Sequence, residues 1–400
     1  MTRIARVAGL LALAGLLSTA PATAGGGTAG PPLYGVAWQG SLGLVRVDPD
    51  TLRPLPGRRV PLAAEPLGWS FSPDRSRLAL GSTARGARLR FVDLRAMRAL
   101  GDVTVARRGS GVATAWAGPG RVLAVVVTPG CCGAGDTIVA GVDAGRRRVT
   151  WRRRLGGSLQ AGERHRGGLV LVLGPRGRAL GPSRLVRVGP DGRTRSAPLP
   201  EIRSGSEPHG SVTRVWDPGL ALDRSGGRAF VVQAGAPVAE VDLDTFEVRS
   251  HPLEHGARAA DAVAGPTRDA IWLGRGRLAV TGSDSHSPAG LTLIDTRDWR
   301  ARTIDRRTTD AVLVSGTLLA STFLDQRRSG SGLTGYSPDG TRRFHRFGND
   351  PILGAQGIGR KALVGGPRGL ALVDARTGRP LRRYRRFSMS LLSGDAPVLY

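Results

Sequence analysis

From residue 33 onward the chain alternates short apolar runs with polar turns, and the runs are of two kinds. The first is apolar almost throughout: 77–80, 121–127, 168–172, 228–232, 277–280 and 361–364. A short run without alternation, bounded by turn residues, predicts a strand covered on both faces. The second kind ends on an aspartate or a Pro-Asp pair, as in Leu44-Val45-Arg46-Val47-Asp48 and Leu89-Arg90-Phe91-Val92-Asp93. A polar turn follows, and after several of these turns comes a strand rich in arginine: 146–154, 342–346 and 379–386. Charge on such a strand suits an outer edge, because it blocks pairing with other chains. No amphipathic helical stretch appears beyond the first 24 residues.

The second pattern recurs. Its anchors fall at Asp48, Asp93, Asp143, Gly189, Asp242, Asp295, Ser337 and Asp374, at intervals of 45, 50, 46, 53, 53, 42 and 37 residues. A period of about 40–50 residues with four strands in each is the rhythm of a propeller blade. The turn chemistry agrees, since Asp accepts hydrogen bonds from amides just ahead of it and Gly supplies positive φ. The expected fold is all-β, a β-propeller of four-stranded blades, with eight blades favoured and seven the alternative. Residues 33–55 make a partial blade without its innermost strand. The tail, 389–392 and 397–400, would supply that strand and close the ring on both termini.

Two segments carry a family resemblance. Ser70-Phe71-Ser72-Pro73-Asp74, followed by Arg77-Leu78-Ala79, resembles the F-S-P-D-G-x-x-L-A segment of TolB-type and WD40-type propellers, with Arg75 in place of the usual Gly. Asp217-Pro218-Gly219-Leu220-Ala221-Leu222-Asp223, running on to Gly227-Arg228-Ala229-Phe230-Val231, is similar to the repeat of YVTN/NHL-type propellers. The rhythm covers nearly all of 33–387, and the Gly-His and Trp-Asp signature does not repeat. The resemblance implies a fold and no particular activity, because propellers host unrelated functions.

Composition sharpens this picture. There are 59 glycines and 27 prolines in 400 residues, without a collagen period, which fits many turns between many strands. The formal charge is +27, and of 58 basic residues only Lys361 is lysine. Arg3 and Arg6, the uncharged stretch 7–20 and Ala22-Thr23-Ala24 have the layout of an export signal. Its 14-residue run is shorter than the roughly 20 residues that span a bilayer. The expected organisation is therefore a signal peptide at 1–24, a Gly/Pro-rich leader at 25–32 and a single propeller domain over 33–400. The mature chain is expected to be secreted or to lie in the cell envelope, with no membrane-spanning segment, as a monomer.

Export places the only two cysteines, Cys131 and Cys132, in an oxidising compartment, where a vicinal disulfide can form. Adjacent Cα atoms lie about 3.8 Å apart, closer than ordinary disulfide geometry, so the ring would be strained, and flanking glycines supply the backbone freedom. Quinone-dependent alcohol dehydrogenases, also eight-bladed, hold such a pair beside their cofactor, but this chain lacks their tryptophan-rich repeat.

Residues 197–216 break the blade rhythm and read as a loop at one face of the ring. Glu207, His209, Arg214 and Asp217 are the candidate ligand-binding group there, combining acid, base and anion-binding chemistry. Arg146, Arg147, Arg148, Arg152, Arg153 and Arg154 flank Trp151 and are candidate polyanion contacts. No metal site is expected. His251-Pro252-Leu253-Glu254-His255 has the letters of the H-x-x-E-H motif, but its chemistry needs a helix that Pro252 opposes. No serine has glycine both two before and two after it, and the loose G-x-G-x-x-G spacings precede strands rather than helices. No cofactor is predicted. The chain reads as an exported binding or scaffold protein, with an unknown protein or small molecule as ligand and an anionic envelope polymer as a further partner. Nucleic acid is not expected. The alternative is an enzyme on the same ring: a hydrolase, a lyase or a quinone-dependent oxidoreductase.

Overall fold

The computed structural model describes residues 33–128, 135–177, 179–209, 212–223, 225–253, 266–284, 287–321, 332–348, 350, 352, 354–366, 369–384 and 389–392. It is a propeller of eight antiparallel sheets. Blade 1 contains β1 (Leu33–Gln39), β2 (Ser41–Val47) and β3 (Val60–Pro61). Blade 2 contains β4 (Gly68–Phe71), β5 (Arg77–Ser82), β6 (Ala87–Asp93) and β7 (Arg98–Ala106). Blade 3 contains β8 (Gly111–Trp116), β9 (Arg121–Val127), β10 (Thr137–Asp143) and β11 (Arg148–Arg154). Blade 4 contains β12 (Leu159–His165), β13 (Gly168–Leu173), β14 (Leu180–Val188), β15 (Thr194–His209) and β16 (Val212–Trp216). Blade 5 contains β17 (Gly219–Asp223), β18 (Arg228–Val232), β19 (Val238–Asp242) and β20 (Val248–His251). Blade 6 contains β21 (Pro266–Gly274), β22 (Arg277–Asp284), β23 (Ser287–Pro288), β24 (Leu291–Asp295) and β25 (Arg300–Asp305). Blade 7 contains β26 (Asp310–Val314), β27 (Thr317–Ser321), β28 (Leu333–Tyr336) and β29 (Arg342–Arg346). Blade 8 contains β30 (Gly354–Ile358), β31 (Lys361–Gly366), β32 (Gly369–Asp374) and β33 (Pro380–Tyr384). Finally β34 (Met389–Leu392) returns to pair with β1, Tyr34 opposite Leu392 and Ala37 opposite Met389, and completes blade 1. Residues 397–400 lie outside the described residues.

The apolar runs without alternation are the second strands of their blades, and they are buried as expected: β13 is covered along its whole length. Blades stack through apolar faces, for example Leu89, Phe91, Val122 and Ala124 between blades 2 and 3. The innermost strands meet side by side around the axis, with β4 beside β8, β12 beside β17, β17 beside β21, β21 beside β26 and β26 beside β30. No helix occurs among the described residues, and none is long and apolar enough to cross a membrane.

The recurring aspartate has one job in every blade. Asp48, Asp93, Asp143, Asp242 and Asp374 each accept hydrogen bonds from two backbone amides two and three residues on. Asp191, Asp295 and Asp339 each take one from the amide two residues on. The chain then passes through a residue at positive φ: Leu52, Met97, Arg147, Gly192, Phe246, Trp299, Gly340 or Gly378. Five of these eight carry a side chain despite the cost of that conformation.

Arginines on the second, third and fourth strands reach from one blade to the next. Arg46 donates to the Leu94 and Arg95 carbonyls, the turn of the next blade. Arg121 reaches the Pro190 carbonyl at 3.1 Å, Arg187 the Leu243 carbonyl, Arg195 the Thr245 carbonyl at 3.0 Å and Arg302 the Asp339 carbonyl at 3.0 Å. Across the seam, Arg382 of blade 8 reaches the Asp50 carbonyl of blade 1 at 3.5 Å. An arginine of one blade thus satisfies turn carbonyls of the following one, which links blades where apolar packing ends.

Candidate functional site

The interface between blades 6 and 7 turns polar at one end. Alternation along β21 shows how. Ala270 and Trp272 pack toward blade 5, with Phe230 and Val232. Ile271 and Leu273 pack toward blade 7, with Ala311 and Leu318. Asp269 shares the blade 7 side with Ile271, and its cross-strand partner is Thr281. Thr267 and Ser283 lie next along the same two strands, with hydroxyl oxygens 3.1 Å apart. In blade 7, Ala311 of β26 packs toward blade 6, while Asp310, which opens the strand opposite Ser321, shares the other face with Val312 and Val314, toward blade 8. Asp217 precedes β17 and is bridged to β21: the Arg268 amide donates to the Asp217 carbonyl at 2.8 Å.

Three successive innermost strands, β17, β21 and β26, therefore have a carboxylate at or just before the same end: Asp217 ahead of β17, Asp269 in β21 and Asp310 opening β26. Each keeps some accessible surface but is surrounded by protein, the situation of a group in a channel wall. Burial raises the Asp217 carboxyl to about 6, with a further push from the Asp269 charge. Burial raises Asp269 to about 6 against the opposing pull of Arg268. Burial and then the Asp269 charge raise Asp310 to about 7, against a hydrogen bond from the Ala311 amide. These groups share protons near neutral pH instead of standing fully ionised.

The nearest fixed cation does not neutralise them. Arg268 is 6% exposed and faces blade 5. Its Nη1 donates to the Thr267 carbonyl at 2.8 Å and lies 2.7 Å from Asp284 Oδ1, close but not aligned for a hydrogen bond. Its Nη2 has no hydrogen-bond partner. The Thr281 hydroxyl, on a residue 1% exposed, also has none.

Residues 197–216 are not the loop that their prolines and glycines suggest. They form the end of β15 and all of β16, a hairpin that extends blade 4 beyond its fourth strand. Pro198, Pro200 and Pro208 are tolerated because this is an edge, where the ladder is one-sided. Glu207 and Arg214 face each other across the hairpin, and His209 is opposite Val212 at its tip. Asp217 follows at its base, and β16 lies against β21. The hairpin therefore stands beside β21, with Asp217 at its base. Asp269, Asp310 and Thr281 were not among the sequence candidates. The signal that could have found them is a polar residue on the face of a run that otherwise packs on the next blade.

The other candidates are placed as follows. Cys131 and Cys132 lie outside the described residues. Arg146 and Arg147 are in the turn before β11, Arg148 and Arg152 to Arg154 are on it, and all six are exposed. Arg147, Arg152 and Arg153 donate to the carbonyls of Leu100, Val105 and Gly192, and Arg154 pairs with Asp136. His251 ends a strand, not a helix. Its ring stacks on Trp299 at 3.6 Å and its Nε2 is 2.8 Å from Glu240. Among the described residues, no three His, Cys, Asp or Glu side chains are grouped to hold a metal ion.

No family model and no curated protein matches this chain. Solved structures do. It is similar to dihydro-heme d1 dehydrogenase NirN in complex with DHE, at TM-score 0.59 and 15% identity, over 91% of this chain and 74% of that one. It is also similar to the Dos1 propeller, at TM-score 0.50 and 12% identity, over 80% of this chain and 85% of that one. BamB from Moraxella catarrhalis aligns at TM-score 0.48 and 12% identity, over 85% and 89% of the two chains. At these identities the likeness is one of fold.

Proposed function

We propose that this protein is an exported propeller that binds a ligand at the mouth of its central channel. The site is the arc Asp217, Asp269 and Asp310, with the β15–β16 hairpin and its Glu207–Arg214 pair as a side wall. The observation that carries this reading is a carboxylate at or just before the same end of three successive innermost strands, each desolvated there. Strongly shifted carboxyls cluster at functional sites, which makes this arc the candidate. NirN, similar in fold over 74% of its chain, was solved in complex with DHE, so a protein that contains such a ring can hold a ligand. Export rests on the sequence pattern of residues 1–24, with 33–400 as the mature propeller.

The test is a thermal-shift screen of the mature chain against metabolites, quinone and haem cofactors, and short peptides. A ligand lost in Asp217→Asn and in a hairpin deletion, but kept in Arg148→Ala, supports the site. Ligands indifferent to all three changes remove it. Turnover that depends on Glu207 or His209 would make the protein an enzyme. Retention on an anionic polymer that falls steeply with salt and needs Arg146 and Arg148 would place the partner on the perimeter instead.

A further inference from the structure

Away from the channel, the outer strands of blades 2 and 3 gather arginines at one corner of the ring. β11 runs alongside β7 with a constant offset: Arg147 donates to the Leu100 carbonyl, and Arg152 Nε to the Val105 carbonyl at 2.8 Å. That offset sets Arg154 beside Arg107 where both strands end. Arg152 Nη2 also donates to the Thr104 carbonyl at 3.3 Å. A guanidinium has five N–H groups, so these two bonds fix its plane and leave three for a ligand. Arg107 and Arg108 follow Val105 directly after Ala106, and an added Cβ on Gly86 would stand 2.9 Å from the Arg107 carbonyl, which brings Arg85 alongside. Arg85, Arg107, Arg108 and Arg152 are all exposed. Carboxylates do not offset them. Between Asp74 and Asp136 the only acids are Asp93, in the turn at the opposite end, and Asp102. Arg90 takes Asp102 with two bonds of 2.8 and 2.9 Å, and Arg154 takes Asp136. Other rims are mixed: Arg214 faces Glu207 on blade 4, and Asp305 precedes Arg306 and Arg307 after blade 6.

We propose that this corner docks a linear phosphate polymer, a chain whose charge lies in its backbone: Arg85, Arg107 and Arg108 contact successive phosphates, and Arg152, fixed in the seam, gives its open N–H groups to one of them. A polymer fits better than a single anion. Each exposed guanidinium is a weak contact by itself in water, and only a ligand with several linked charges sums them. A backbone charge fits better than a sugar or base, because no ring is offered for stacking. Trp151 faces blade 4, where its indole donates to the Pro190 carbonyl at 3.2 Å, and the exposed Trp38 is in blade 1. The whole chain is positive, but at physiological salt charges more than about 8 Å away are largely screened, so local density decides where the polymer rests. Arg146 and Arg148 do not share the corner. They lie at the other end of β11, roughly 15–20 Å away at about 3.3 Å per residue, beside the turn aspartates Asp93 and Asp143. The corner is on the rim, so it stands or falls apart from the channel-mouth reading.

The experiment uses the full mature chain and end-labelled inorganic polyphosphate, read by fluorescence anisotropy across a salt series. Polyglutamate and oligothymidylate of matched charge are the controls. The expected result is polyphosphate binding at physiological salt, with log affinity falling against log salt at a slope of about −3, as four phosphate contacts give. The double variant Arg107→Ala/Arg108→Ala should weaken binding about tenfold or more and flatten the slope by about 1.5. Arg152→Lys keeps the charge but loses the planar fork, and should weaken binding a few-fold. Arg146→Ala/Arg148→Ala removes the same charge from the opposite end of β11 and should change affinity by less than about twofold. Thermal melts of each variant keep lost binding distinct from lost folding. Equal losses in the two double variants would overturn the proposal, because net charge alone would then hold the polymer. No polyphosphate binding at physiological salt would do the same. Polyglutamate held as tightly would overturn the assignment to phosphate, and oligothymidylate held more tightly would mark a reader of bases. Polyphosphate affinity should be unchanged in Asp217→Asn, and a channel-mouth ligand that needs Asp217 and the hairpin would leave that broader reading standing if this one falls.

Discussion

Asp310, Asp269 and Asp217 stand where their charge works against the fold. Their carboxyls are raised to about 7, 6 and 6 from an ordinary value near 3.8. A carboxyl raised on folding favours the native state below its unfolded value, and that contribution disappears as pH climbs through the folded value. Stability should therefore fall between about pH 4 and 7. Asp310→Asn should melt higher than the parent at pH 8 and no higher at pH 4.5, as read by calorimetric melts across pH. Equal melting at both pH values would show that the carboxyl is not desolvated. The turn aspartates act in the opposite sense. Hydrogen bonds hold Asp295 and Asp339 down to about 2, so their contribution is lost as pH drops below about 4. Sequence reading found Asp217 because it stands in an Asp-Pro-Gly segment with a recognisable repeat. It missed Asp269 and Asp310 because Thr-Arg-Asp and Thr-Thr-Asp before apolar runs look like ordinary turns. Only the register, with Thr281 opposite Asp269, separates them from a true turn residue such as Asp298.

At the scale of the element, the turns of blades 1, 2, 4, 5 and 7 share one design: an aspartate organises the turn and the preceding blade's arginine closes over its carbonyls. Arg187 donates to the Leu243 carbonyl and lies 3.5 Å from Asp244. Arg187→Ala should lower unfolding stability by about 1–2 kcal/mol, while Arg148→Ala should stay within about 0.5. Equal effects in denaturant titrations would reduce the guanidinium contacts to surface decoration. Gly192 tests the turn itself. Its φ is +82°, and an added Cβ would meet the Trp151 ring at 2.7 Å. Gly192→Ala should therefore cost about 1–3 kcal/mol and displace the indole, which ordinarily donates to the Pro190 carbonyl at 3.2 Å. An unchanged tryptophan emission would argue against that displacement. The Asp turns and the arginine-rich fourth strands were legible because each is a local pattern. The pairing of arginines with turns of another blade was not, since the partners are some fifty residues apart. The β15–β16 hairpin was hidden for a different reason: proline and glycine signal a turn whether or not an edge strand accommodates them.

Across the whole molecule, the repeat period foretold the ring and the unfinished first blade foretold how it closes. Closure depends on four residues, Met389–Leu392, on β1. Leu391 and Leu392 are buried, the Gln356 side chain donates to the Leu391 carbonyl at 3.1 Å, and Ser390 bonds Glu65 at 2.8 Å. Removing 389–400 would expose these contacts and bare the inner edge of β1, whose Tyr34, Val36 and Ala37 are core residues. Burying a leucine is worth about 1.5–3 kcal/mol, so two of them represent a large share of a domain's net stability of about 5–15 kcal/mol. The truncated chain should melt well below the parent and self-associate through the open edge, because an unpaired strand is a template for another. Light scattering and thermal melts read both effects. A truncated chain that stays monomeric and melts with the parent would mean that blades 2 to 8 hold the ring without the strap, and that interblade packing and the arginine contacts supply the closure assigned here to β34.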